Sequence, residues 1–226
     1  MAKRKLERFN EMKGMDRVIQ PSMEDIKNDD FHLKGKWCLE FFGKEGPLII
    51  ELGCGKGEYS VGLGKKYPDK NFIGVDIKGA RIWRGAKDVE EHNLENVGFI
   101  RSKIDFIDRF FGEGEVDEIW LTFSDPQKEK PRKRLTGPLF INRYRKFLKP
   151  GGVIHLKTDS DLLYEFTLEE IKENGYKMIE STGDVYGDYF DNLSEDEKEV
   201  LNIRTHYEKL FASKGHIIKY CRFQVD

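Results

Sequence analysis

Residues 48–57 read Leu-Ile-Ile-Glu-Leu-Gly-Cys-Gly-Lys-Gly. An apolar run (Leu48, Ile49, Ile50, Leu52) holds a single carboxylate, Glu51, and gives way to glycines at 53, 55 and 57. A near-continuous apolar run is the pattern of a parallel strand buried on both faces. Glycines on alternate positions just beyond it mark a turn where the backbone comes close to a ligand. The spacing argues against one common reading. A dinucleotide fingerprint, G-x-G-x-x-G, places its third glycine where the helix packs on the strand. Counted from Gly53 that position is Glu58, an anion where a pyrophosphate would meet a helix N-terminus.

Outward from this turn the pattern alternates. Strands are predicted at 47–52, 71–76, 97–102, 116–123, 152–158, 177–182 and 217–224, and helices at 58–67, 79–92, 104–111, 138–148, 160–173 and 203–213. That order implies an α/β chain with a doubly wound, Rossmann-like sheet, mostly parallel, closed by an antiparallel last strand. Residues 1–35 are polar and start basic (Lys3, Arg4, Lys5, Arg8), so they are expected to form a mobile arm, with one domain over 36–226. The acidic stretch 184–199 reads as a solvated loop, with a flap as the alternative.

Composition narrows the class. The chain has 226 residues, 39 basic and 41 acidic, for a net charge of −2. No apolar run approaches the roughly 20 residues of a membrane span. The charged start has no apolar segment behind it, so no secretory leader is expected. Cys38, Cys54 and Cys221 are odd in number and far apart, which points to a reducing cytoplasmic setting and to no metal site.

Two acids stand at predicted strand ends near the glycines. Glu51 either braces the turn or offers an anion to a cationic ligand. Asp76, about 20 residues on, sits where a carboxylate accepts from ribose hydroxyls, or else it caps the next helix. The fourth strand ends in Phe123-Ser124-Asp125-Pro126, and Pro126 holds Asp125 extended. Lys128, Lys130, Arg132, Lys133 and Arg134 follow. Cations clustered beside a carboxylate-bearing crevice imply a polyanion, and Arg143, Arg145, Lys146 and Lys149 extend the positive charge.

Acid-x-Gly-x-Gly-x-Gly resembles the first motif of methyltransferases that use S-adenosylmethionine. The set Glu51 to Gly57, Gly74-Val-Asp76, Phe123-Ser-Asp125-Pro with its basic loop, His155-Leu-Lys-Thr-Asp159 and Arg204-Thr205-His-Tyr207-Glu208, in that order, resembles the bacterial tRNA (guanine-N7)-methyltransferases. The resemblance runs from about residue 45 to the C-terminus. It implies methyl transfer to N7 of a guanine in the tRNA variable loop, by a cytoplasmic monomer or homodimer. It also implies a cofactor site of Glu51, Gly53, Gly55, Gly57, Asp76, Ile104 and Asp125, with Asp125 catalytic. Asp159, Thr205, Tyr207 and Glu208 would meet the guanosine, and Lys128 to Arg134 the RNA. The loop departs from the family's Asp-Pro-Trp-Pro-Lys-Lys: here it is Asp-Pro-Gln-Lys-Glu-Lys, and both Lys128 and Lys130 compete for the substrate-contacting place. Three other readings compete with this one: a methyltransferase acting on a small molecule or protein, a catalytically silent RNA binder, and a nicotinamide-dependent dehydrogenase.

Overall fold

The structure is a computed structural model that describes residues 7–8, 10–28 and 31–225. Its strands are β1 (Val18–Ile19), β2 (Leu48–Leu52), β3 (Asn71–Asp76), β4 (Val97–Arg101), β5 (Val116–Thr122), β6 (Leu148–Thr158), β7 (Lys177–Thr182) and β8 (Lys219–Gln224). The helices are α1 (Met23–Asn28), α2 (Glu58–Lys66), α3 (Gly79–Glu91), α4 (Pro138–Tyr144), α5 (Asp161–Glu173), α6 (Asp188–Asp191), α7 (Glu195–Leu201) and α8 (His206–Ala212). One sheet runs in the order β1-β4-β3-β2-β5-β6-β8-β7. It is parallel from β1 to β6, while β8 lies antiparallel to both β6 and β7.

Every residue of β2 is buried, because the strand has neighbours and cover on both faces. Ile50 and Leu52 join Ile73, Leu121 and Ile154 under α4 and α5. Ile49 points the other way, to Phe72, Phe99 and Trp120 under α2, α3 and α7. Each such side chain stabilises the fold by about 1.5–3 kcal/mol on burial. The chain winds from β2 outward through β3 to β4, then returns to place β5 on β2's other side. Ligands of open α/β sheets bind above the carboxyl ends of strands at such a reversal. The loops after β2, β3, β4 and β5 all open there. Among the described residues no helix is long and apolar enough to cross a membrane.

Four expectations change. The segment expected as a helix at 104–111 is a 3-10 turn, Ile104–Arg109. Strand β6 begins at Leu148 rather than 152, because Leu148 pairs with Val116 ahead of a register shift. The sheet is also not bounded at residue 35. Val18 and Ile19 add a parallel strand on Phe99 and Ile100, and Met12, Phe31 and Leu33 are buried. Lys3, Arg4 and Lys5 lie outside the described residues.

The stretch 184–199 is not a bare loop. Ser194 accepts from the Glu197 amide and Glu197 returns a bond to Ser194, a capping box that starts α7. Val185, Val200 and Leu201 are buried on the sheet, and the Tyr59 hydroxyl donates to the Val200 carbonyl at 2.8 Å. Ser194-x-x-Glu197 was the signal available in the sequence.

Candidate active site

A pocket of about 840 Å³ lies over the strand ends. Its floor is the turn after β2. Gly53 and Gly55 have φ of +83° and +58°, and a Cβ added at either would meet no protein atom within 4 Å. The turn therefore faces open space with bare backbone. Gly57 serves packing instead: a Cβ there would fall 2.6 Å from the Phe99 ring. The Asp76 carboxylate fixes the turn, accepting from the Gly55 amide at 3.0 Å and from the Lys78 amide at 2.7 Å. Asp76 does not cap α3, whose N-cap is Lys78 without a side-chain cap bond; it lines the pocket.

Glu51 lies behind the floor rather than on it. It is 3% exposed, accepts from the Ser60 amide (3.0 Å) and hydroxyl (2.5 Å), and takes a further bond from Thr122. Burial pushes its carboxyl up to about 7, against the pull of those donors. Its geometry is that of a brace joining α2 to β2 and β5. Besides Asp76, Glu58 lines the pocket on this side, and its Oε1 accepts from the His206 amide at 3.2 Å.

The second wall begins where β5 ends. Phe123 and Gln127 both take left-handed backbone angles, φ +51° and +48°, unusual for residues with side chains. Between them the Asp125 carboxylate accepts from the Gln127 amide at 2.9 Å and stays exposed. The hydroxyl of Ser124 is buried without a hydrogen-bond partner and lines the same pocket. A buried hydroxyl left unpaired costs about 1–3 kcal/mol. Ile104 and Asp105 line the pocket from beyond β4, and Asp105 holds Lys133 across to that side.

The basic loop divides. Lys130 and Lys133 line the pocket, and the side chains of Lys128 and Arg132 are exposed without an ion pair to any described residue. Arg134 departs from the expected RNA surface. It is 6% exposed, its Nε donates to the Pro126 carbonyl at 3.0 Å, and its guanidinium lies 4.4 Å over the Phe166 ring. From inside, it fastens the segment that carries Asp125.

Asp159, Thr205 and Tyr207 close the pocket from the other side. Thr205 caps α8 by accepting from the Glu208 amide at 3.1 Å. Glu208, expected on the guanosine, is fully buried and turned away from the pocket. It bonds the Lys157 ammonium at 2.9 Å and accepts from the Tyr186 hydroxyl. Lys157 donates further to the Leu201 carbonyl at 2.6 Å, and burial draws its ammonium down to about 8. The pair thus pins α8 to the end of β6. This role of Lys157 is not legible in the sequence, because its partner lies 51 residues away.

A second cavity, about 450 Å³, lies between the sheet and α7 and is lined by Trp120, His155 and Glu118. It has neither the glycine turn nor a strand-end carboxylate, so the larger pocket is the candidate site. Among the described residues, no cluster of three or more His, Cys, Asp or Glu side chains could hold a metal ion.

Known proteins bear on this geometry. The family model Methyltransf_4, described as "Putative methyltransferase", matches residues 45–221. A tRNA (guanine-N(7)-)-methyltransferase of Bacteroides fragilis is 49% identical over 99% of this chain and 86% of its own length. One from Christiangramia forsetii is 46% identical over 99% of each. The chain belongs to the bacterial tRNA (guanine-N7)-methyltransferase family. Solved structures extend the likeness in fold. The 16S rRNA methyltransferase KamB superposes with a TM-score of 0.60 at 13% identity, covering 81% of this chain and 90% of its own. An antibiotic-related methyltransferase gives 0.59 at 14%, covering 92% and 96%. In this member of the tRNA (guanine-N7)-methyltransferase family, the glycine turn, Asp76 and the Asp125 loop meet around one pocket.

Proposed function

We propose that the chain transfers a methyl group from S-adenosylmethionine to N7 of a guanine in tRNA, within the variable loop. The observation that carries this reading is the convergence of bare glycine backbone, Asp76 and the Phe123–Asp125 strand end on one pocket, with cations at its rim. The pocket's residues suit that cofactor. Asp76 offers acceptors to a ribose, Ile104 an apolar edge to an adenine, and Glu58 a negative charge to an ammonium. Bound there, the cofactor would supply an electrophilic methyl group.

The protein's share follows from the chemistry of N7. Its lone pair lies in the ring plane, and attack leaves no proton to remove, so no strong base is needed. What remains is to hold the base in line and to meet the positive charge that develops on it. Asp125, exposed into the pocket on the loop that leaves β5, does this either as a nearby anion or by accepting from the base's N1–H and amino group. Asp159 and Tyr207 flank the space a guanosine would enter once drawn out of its stack. Lys128, Lys130 and Arg132 offer cations to the backbone.

Incubation with bulk tRNA and labelled cofactor, followed by nucleoside analysis, should yield labelled 7-methylguanosine. Label in any other nucleoside, or none, refutes the reading. Asp125→Ala should keep cofactor affinity within about twofold and reduce turnover by about 10²-fold or more, the scale of losing one transition-state charge contact. Normal turnover in that variant would remove Asp125 from the mechanism.

A further inference from the structure

A hollow of about 520 Å³ adjoins the pocket on the outer side of α3, and the two share Lys56, Glu58 and Arg81. Lys56 sits in the glycine turn and Arg81 in the first turn of α3. Neither forms a salt bridge with a described residue; the Arg81 guanidinium rests 5.3 Å over the Tyr207 ring. Deeper in the hollow the Trp83 ring lies under the Arg8 guanidinium at 4.5 Å, and its indole N–H donates to Glu11 at 2.6 Å.

This placement is costly for the cofactor alone. S-adenosylmethionine carries a sulfonium, an ammonium and a single carboxylate and no phosphate, so it is a net cation and offers Lys56 and Arg81 together at most one anion. Glu58 shares the hollow but forms no salt bridge with either cation and accepts from the His206 amide, which leaves room for a second anion. A guanosine drawn out of a folded RNA brings its flanking phosphates to the lip of the pocket. Lys56 and Arg81 stand on that lip, and Trp83 with Arg8 forms a flat face behind them of the kind on which bases stack.

We propose that this hollow is a second RNA subsite, in which a nucleotide flanking the reacting guanosine places its phosphate between Lys56 and Arg81 and its base toward Trp83. The subsite lies on elements separate from the basic loop after β5. It rests on the tRNA reading above, so the test begins with wild-type protein. Loss of tRNA methylation there refutes that reading rather than the subsite.

With wild-type methylation established, Lys56→Gln, Arg81→Gln and their double variant are compared with wild type. The readouts are tRNA binding across a salt series, S-adenosylmethionine titration and steady-state kinetics. Each single change should weaken tRNA binding about tenfold and reduce the magnitude of the log Kd against log salt slope by about 0.7–0.9. The loss should appear mainly in KM for tRNA, with cofactor affinity held within about twofold. A second readout needs no change in charge. Trp37 and Trp120 are buried, at 0% and 4% exposed, so tRNA should quench the emission of Trp83, and Trp83→Phe should abolish that quenching. Unchanged salt slopes, or a loss of cofactor affinity matching the loss of tRNA affinity, overturns the proposal. So does quenching that persists in Trp83→Phe.

Discussion

The two walls of the pocket are held by different physics. The floor after β2 is kept in shape by backbone geometry and neutral donors: Ser60 and Thr122 on Glu51, and the Gly55 amide on Asp76. The wall carried by α8 is fastened by a full ion pair, Lys157 to Glu208, with both side chains completely buried. A carboxylate among hydroxyls can take up a proton and keep its contacts. A carboxylate facing an ammonium loses its reason to be there once the ammonium is gone. The floor should therefore tolerate neutralisation, and the α8 wall should not.

The hardest test of that contrast is Lys157→Met, which leaves Glu208 buried without a counter-charge. It should cost about 3–5 kcal/mol in urea unfolding, and Glu208→Gln should cost a similar amount. The double variant should lose less than the sum of the two. Additive losses would mean that the pair is not a unit.

The floor is tested by pH. Because the Glu51 carboxyl is raised from 4.5 to about 7, its protonated form favours the fold. That contribution is present below about pH 4.5 and is lost as pH rises through 7, amounting to about 3 kcal/mol. Glu51→Gln should remove this decline, seen as a flatter midpoint of thermal unfolding between pH 5 and 8. A decline as steep as in wild type would place the titration elsewhere.

Gly57→Ala probes the floor's backbone. The added methyl meets the Phe99 ring and sits at φ +73°, so a loss of about 1–3 kcal/mol is expected in the same unfolding assay. A neutral result would show that Phe99 gives way freely. The mildest change is Ser194→Ala, which removes the cap of α7, the helix whose Leu201 carbonyl meets Lys157. About 1 kcal/mol should be lost. Loss of the whole transition's cooperativity would mean that α7 matters far more to the α8 wall than one cap implies.

The same contrast explains what the sequence disclosed. The floor is local: Glu51, the glycines and Asp76 lie within 26 residues of one another, and their spacing carries the turn and the strand ends. The role of Glu51 was only half legible, because nothing local shows which way a strand-end carboxylate points. The α8 wall is nonlocal. Thr205 and Glu208 read as a helix start, and nothing near them points to Lys157. Arg134 was hidden differently, as one cation in a basic run, since only its contacts with Pro126 and Phe166 turn it inward. A two-residue strand such as Val18–Ile19 is too short to show any period at all.

That short strand has a bearing on how the molecule behaves in concentrated solution. Val18 and Ile19 occupy the hydrogen-bonding flank of β4, one of the two ends of the sheet. Unpaired flanks recruit strands from neighbouring molecules. A chain trimmed past Ile19 would bare the amides and carbonyls beside Phe99 and Ile100. Its first symptom would be self-association that worsens with protein concentration.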